Sequence, residues 1–390
     1  MLQFILTTFL LLAVPACSQT HSEAKTIQCG AELTDIYLPM LKGKRVAIMA
    51  NQTSVIGSRH LVDTLLSLGV DVKKIFSAEH GFRGNEADGV LIVDGNDAST
   101  NLPIISLYGK NRKPTPEQLI DIDIIIFDIQ DVGARFYTFI SSMHYLMEAC
   151  AENNKEFLVL DRPNPNGNYI DGPILKEEYK SFVGMHPVPV VHGMTIAEYA
   201  RMINGEGWLK DNVTCKLQWV CCKNYTHAAS YTPPIQPSPN LPNLQAIRLY
   251  PSLAFFEGTV VSEGRGTDFP FQVFGFPGFK SGDFTFIPRN RTRVATHPKF
   301  ENQECKGMDL RSYLPQNGQW TGLNLEWLIL AFRYSENKTL FFLPYFDKLA
   351  GTDKLRKDIQ EGRSIELIRE GWESGLEGFR NTREKYLLYP

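Results

Sequence analysis

VAIMA at residues 46–50 and IIIF at residues 124–127 are apolar without interruption, and each run ends on a polar side chain, Asn51 and Asp128. A strand with one face in water alternates polar and apolar residues, whereas a strand covered by helices on both faces does not. Around these two runs the same unit recurs. HLVDTLLSLG (60–69), VKKIFSA (72–78), IISLY (104–108), PEQLID (116–121), TFISSMHYLMEACAE (138–152) and EFLVLD (156–161) alternate strand-like and amphipathic stretches. Repeated β-α-β units dictate a parallel sheet, so an α/β, Rossmann-like doubly wound domain is expected over residues 31–200. After the first strand the chain reads Asn51-Gln52-Thr53-Ser54 in place of a glycine-rich phosphate cradle, so no dinucleotide, and no cofactor, is implied.

The pattern changes after Asp161. Pro163, Pro165, Pro173, Pro187 and Pro189 punctuate loops ahead of a helix that Thr195 can cap with Glu198. Beyond it lie a strand at Leu217 to Cys221, the proline-rich TPPIQPSPNLPN, and helices around residues 323–334 and 354–373, which predicts a smaller α+β domain over residues 201–390. At the other end, the apolar run from Phe4 to Val14 is too short for a bilayer span of roughly 20 residues and reads as an export signal over residues 1–17. Val14-Pro15-Ala16-Cys17 has the small residues of a lipoprotein signal, which makes Cys17 the acylated terminus and residues 18–30 a tether. A periplasmic, lipid-anchored protein is expected. The formal charge of -3 leaves no basic face for nucleic acid. Of seven cysteines, removal of Cys17 leaves an even number, compatible with bridges in an oxidising compartment, and no zinc-like spacing among them.

In open parallel sheets, ligands bind beyond the carboxyl ends of the strands. The ends here carry Asn51, Glu79-His80, Asp128, Gln130, Asp131, Arg162 and Asn164. An uncharged-plus-charged polar rim of this kind suits a polyhydroxylated substrate, whose hydroxyls each need a partner once removed from water. Glycoside hydrolysis needs two carboxyl groups. Glu79, flanked by apolar residues in AEHGFRG, is the candidate general acid; Asp128, Asp131, Glu257 and Glu263 are candidates for the second group. Arg265 can pair bidentately with a substrate carboxylate, and His192, beside the helix that Thr195 caps, is placed for ligand contact. His80, Arg83, Arg135 and Tyr137 complete the candidate substrate contacts; no metal ligand set is expected.

The segments AEHGFRG (78–84), FDIQDVGARFYTFI (127–140), LDRPNP (160–165), HGMT (192–195), PNL (242–244) and YPSLAFFEGTVVSEGRGTDFPFQ (250–272) together resemble the NamZ-type exo-β-N-acetylmuramidase family. The resemblance implies a Rossmann-like domain, a smaller C-terminal domain, and an active-site cleft between them. It also implies exo-acting release of N-acetylmuramic acid from the non-reducing ends of peptidoglycan fragments by cleavage of a β-1,4 bond, outside the cytoplasm and without metal or nucleotide. The family carries a glutamate at the position of Glu79, and its E-G-T turn matches Glu257. Two other classes fit the residues alone: a metal-dependent phosphoesterase using Asp128 and Asp131, and a non-catalytic lipoprotein that captures muropeptides.

Acylation at Cys17 has a direct test. The full-length protein should fractionate with membranes and Cys17→Ser should be released into the soluble fraction; a wild-type protein found wholly soluble removes the anchor.

Overall fold

The computed structural model describes residues 26–79, 81–83, 94–109, 111–292 and 294–390. The expected signal and Cys17, most of the tether, and His80 lie outside the described residues. A seven-stranded sheet forms from β1 (Arg45–Ala50), β2 (Asp71–Ser77), β3 (Gly95–Asn96), β4 (Pro103–Ser106), β5 (Ile124–Asp128), β6 (Glu156–Leu160) and β7 (Lys216–Val220), in the order β3-β4-β2-β1-β5-β6-β7. All pairings are parallel except β3 with β4. A second, antiparallel sheet has β8 (Val273–Phe276), β9 (Phe284–Phe286) and β10 (Cys305–Asp309), with β10 in the middle.

The uninterrupted apolar runs are explained by the two faces they serve. Val46, Ile48, Ala50, Ile124 and Ile126 pack against Tyr37, Leu41, Leu61 and Leu65 from the helices Thr34–Leu41 and Leu61–Ser67. Ala47, Met49, Ile125 and Phe127 point the opposite way into a core that holds Met143 and Met147 of the helix Phe139–Glu152 and Tyr199 of the helix Ile196–Gly205. That second core does not stop at the sheet. It continues through Phe255, Phe274, Trp327 and Leu349 to Phe379, so the later half of the chain packs directly on the first.

Two expectations change here. β7 pairs with β6 in register Phe157↔Leu217 and Leu158↔Gln218, so the large sheet runs past the boundary expected at residue 200. Proline-dense loops do not end a domain when the next strand still needs a neighbour. The strand order also puts the topological switch between β1 and β5, where a crevice is expected, but the chain fills it with its own groups. Asp128 takes Arg162 Nε at 2.6 Å and Nη2 at 2.9 Å, both side chains fully buried. Asn51 Oδ1 accepts from the backbone and hydroxyl of Thr53, and Gln52 Nε2 reaches the carbonyls of Gln236 and Pro237 in the proline-rich segment.

Arg135 is the largest fully buried side chain. Its Nη1 donates to the carbonyls of Pro173 (2.9 Å) and Val188 (2.7 Å), and its Nη2 to those of Leu349 (2.9 Å) and Ala350 (2.8 Å). Burial pushes this guanidinium down to about 9, and four carbonyl dipoles are what it receives in place of water. Gly351 next to it has φ +74, and a Cβ there would sit 2.6 Å from Arg135 Nη2, so the turn needs glycine twice over. Arg135, a candidate substrate contact by sequence, is therefore out of a ligand's reach. Arg135→Leu should cost roughly 3–5 kcal/mol of unfolding free energy by stranding four buried acceptors. Arg135→Lys, with three donors and no fork, should recover only part of it in denaturant melts; near-wild-type stability of the leucine variant removes the proposed tie.

Candidate active site

The open space lies away from the switch point. A cleft of about 920 Å³ is lined from the first half by Glu79, Tyr108, Arg112, Tyr137 and Thr138 and from the second by Tyr250, Glu257, Glu263, Arg265, Lys299, Tyr345 and Lys348. This is at the upper end of the usual range of ~300–1,000 Å³ for small-molecule sites. Glu79 follows β2 by two residues, which puts it at a carboxyl-terminal strand end as the sequence suggested. Tyr108 donates its hydroxyl to Glu79 Oε1 at 2.6 Å, and Thr138 donates to Oε2 at 3.3 Å. The Tyr108 hydroxyl is pushed above its ordinary range by burial and then by the Glu79 charge, so it is the proton donor of that pair.

Glu257 lies on the short 3-10 turn Ala254–Gly258 that follows the helix Leu244–Leu253. Arg265 Nη2 donates to Glu257 Oε1 at 2.7 Å, and Arg265 Nε lies 3.4 Å from Glu263. Lys299 Nζ lies 3.1 Å from Glu263 and donates to the carbonyls of Phe256 (2.6 Å) and Val261 (2.9 Å). The guanidinium of Arg265 also lies over the Phe271 ring at 5.0 Å, and burial lowers it to about 10. Burial, and then the like charge of Glu263, push the Glu257 carboxyl up to about 8, against the pull of Lys299 and the Arg265 contact. Two carboxyl groups and two cations thus share one wall, facing Glu79 on the other.

Of the remaining candidates among the described residues, only Tyr137 reaches the cleft; its hydroxyl donates to Pro237 O at 2.9 Å. Asp131 is buried, accepts from Gly133 N at 2.6 Å, and is pushed up to about 7 by burial. His192 lies beside it, Nε2 to Asp131 Oδ2 3.9 Å, and burial pushes the imidazole down to about 3. Gln130 Nε2 is spent on the carbonyls of Asp131 and Pro163, and Asn164 Nδ2 on Met194 O. Arg83 is paired with Asp97 at 2.9 Å. Asn51, Asp128, Gln130, Asp131, Asn164 and His192 cluster at strand ends as expected, but they bond to the chain and not to open space. Among the described residues, no group of three His, Cys, Asp or Glu side chains is placed to hold a metal, and the six described cysteines are free thiols. Arg112, Lys299, Tyr345 and Lys348 escaped the sequence reading because no strand end or glycine-rich turn marks them, and their common signal is spatial; Tyr108, two residues past β4 as Glu79 is past β2, had a strand-end signal that was not used.

The fold has counterparts among solved structures. A crystal structure of a DUF1343 family protein from Bacteroides fragilis NCTC 9343 superposes with a TM-score of 0.87 at 46% identity, covering 94% of this chain and 99% of that one. A second DUF1343 protein from the same organism gives 0.79 at 30% identity, covering 93% and 99%. The chain is also 39% identical over 390 residues to the peptidoglycan beta-N-acetylmuramidase NamZ of Bacillus subtilis (strain 168), covering 95% of this chain and 93% of that protein. Two family models, for the N-terminal and C-terminal parts of exo-beta-N-acetylmuramidase NamZ, match residues 46–245 and 248–389. With the two models spanning the two walls of the cleft in turn, the chain belongs to the NamZ family of exo-β-N-acetylmuramidases.

Proposed function

We propose that this chain is a glycoside hydrolase that releases N-acetylmuramic acid from the non-reducing end of peptidoglycan fragments, with Glu79 and Glu257 as its working carboxyl pair. The observation that carries this reading is that two glutamates from opposite halves of the chain line one polar, aromatic-walled cleft. Glycosidic cleavage asks one carboxyl group to protonate the leaving oxygen and another to act as base or nucleophile. Paired carboxyls in environments that differ divide that work. Glu257, raised to about 8, carries the proton at neutral pH and acts as general acid; Glu79 serves as the second group, held in place by the Tyr108 and Thr138 hydroxyls. This transfers the acid role that the sequence suggested for Glu79. Aromatic Tyr137, Tyr250 and Tyr345 supply faces for a sugar ring. Asp128 and Asp131, the cation ligands a phosphoesterase would need, are committed to Arg162 and to backbone amides. Export and a lipid anchor at Cys17 complete the proposal, resting on the N-terminal sequence, and would put the enzyme where its polymer is.

Leaving-group chemistry tests the roles. Glu257→Gln should lower kcat on a muramic acid–glucosamine disaccharide by about 10² to 10⁴, and much less on para-nitrophenyl N-acetylmuramic acid, whose leaving group needs little protonation. Glu79→Gln should depress both substrates. The opposite split assigns the acid to Glu79, and unaffected turnover in both variants removes the pair.

The same assignment fixes a pH dependence. A general acid works protonated, so kcat/KM should fall as pH rises through about 8. That alkaline limb should disappear in the residual activity of Glu257→Gln; a limb that persists belongs to another group.

A further inference from the structure

Cations along the cleft fall into two sets. Arg265 and Lys299 are already engaged, Arg265 with Glu257 and Glu263 and Lys299 with Glu263. Arg112 and Lys348 line the same space from opposite halves of the chain, are exposed, and have no carboxylate partner among the described residues. Arg112 is not a wandering surface side chain. Its guanidinium is seated 4.1 Å over the Phe182 ring, and Phe182 stacks on Tyr145 with centroids 6.4 Å apart. Stacking holds the plane and leaves the N–H edges for a ligand. Lys348 is one helical turn from Tyr345, on Phe346–Ala350.

Each cation is linked to the working carboxyls through a neighbouring tyrosine. The Arg112 charge acts on the Tyr108 hydroxyl that binds Glu79, and Tyr345 feels the charges of Glu257 and Glu79. An anionic substrate entering a cleft that holds Glu79 and Glu263 meets like charge, and the nearby Arg265 is already occupied. Like charges desolvated together are costly unless a cation is supplied.

Resting on the muramidase reading, we propose that Arg112 and Lys348 form an anion site that binds a substrate carboxylate and thereby selects muramic acid over N-acetylglucosamine. The role sequence reading gave to Arg265 passes to this pair. Two sources can provide that carboxylate: the lactyl ether of the sugar itself, or the peptide attached to it.

Three para-nitrophenyl glycosides separate the sources: free N-acetylmuramic acid, its neutral lactyl N-methylamide, and the muramoyl-dipeptide form, whose lactyl group is an amide and whose carboxylates are peptidic. Wild-type enzyme should prefer a carboxylate-bearing substrate over the neutral amide in KM, and Arg112→Gln and Lys348→Met should each shrink that preference by about tenfold, the order of one charge-assisted hydrogen bond. Added salt should shrink it too. A preference confined to the free acid identifies the lactyl carboxylate; one confined to the dipeptide identifies the stem. If the wild type turns over these glycosides and neither variant changes the preference, the anion site is overturned and the muramidase reading stands. If the wild type turns over none of the three, both fall.

Discussion

One buried guanidinium holds the geometry of this protein. Arg135 leaves the first half, is shut off from solvent, and meets carbonyls on two loops of its own half and on the end of the helix Phe346–Ala350 in the other. A buried cation without an anion is tolerated because four carbonyls are oriented toward it, and those orientations are backbone conformations. The same helix carries Lys348 and begins beside Tyr345, both on the cleft wall. The shape of the site is therefore linked to a hydrogen-bond cluster behind it.

The strand framework was legible because burial on both faces leaves a mark that no loop can imitate. RVAIMA and IIIF are β1 and β5, neighbours in register Val46↔Ile124. The site was legible only in part. Glu79, Glu257, Glu263, Arg265 and Tyr137 were found because they sit at a strand end or within long motif-like segments. Asp128, Asn51, Gln130, Asp131 and His192 look alike in sequence, yet the Asp128–Arg162 pair and the proline-rich segment close the switch-point crevice that would have exposed them. Periodicity tells which end of a sheet gathers polar groups. It cannot tell which are used up by one another.

Charge in the cleft is arranged by opposition. Glu79 receives hydroxyls, Glu257 a guanidinium, and Glu263 both Arg265 and Lys299. None of these contacts is strong evidence of stability, since desolvating such groups costs about as much as their attraction returns. Their value lies in position, because each fixes a carboxyl rotamer. Asp131 and His192, buried so that the charged form of each is disfavoured, show the other outcome: acid and base side by side with no access for a substrate.

The hydrophobic core that runs unbroken from Met49 to Phe379 governs how the cleft can move. Domain pairs that swing about a hinge meet across a modest, polar boundary; here the boundary is the interior itself, packed like a crystal of small molecules and equally reluctant to shear. The two walls accordingly share one backing, and any rotation of one half against the other would have to break into that interior.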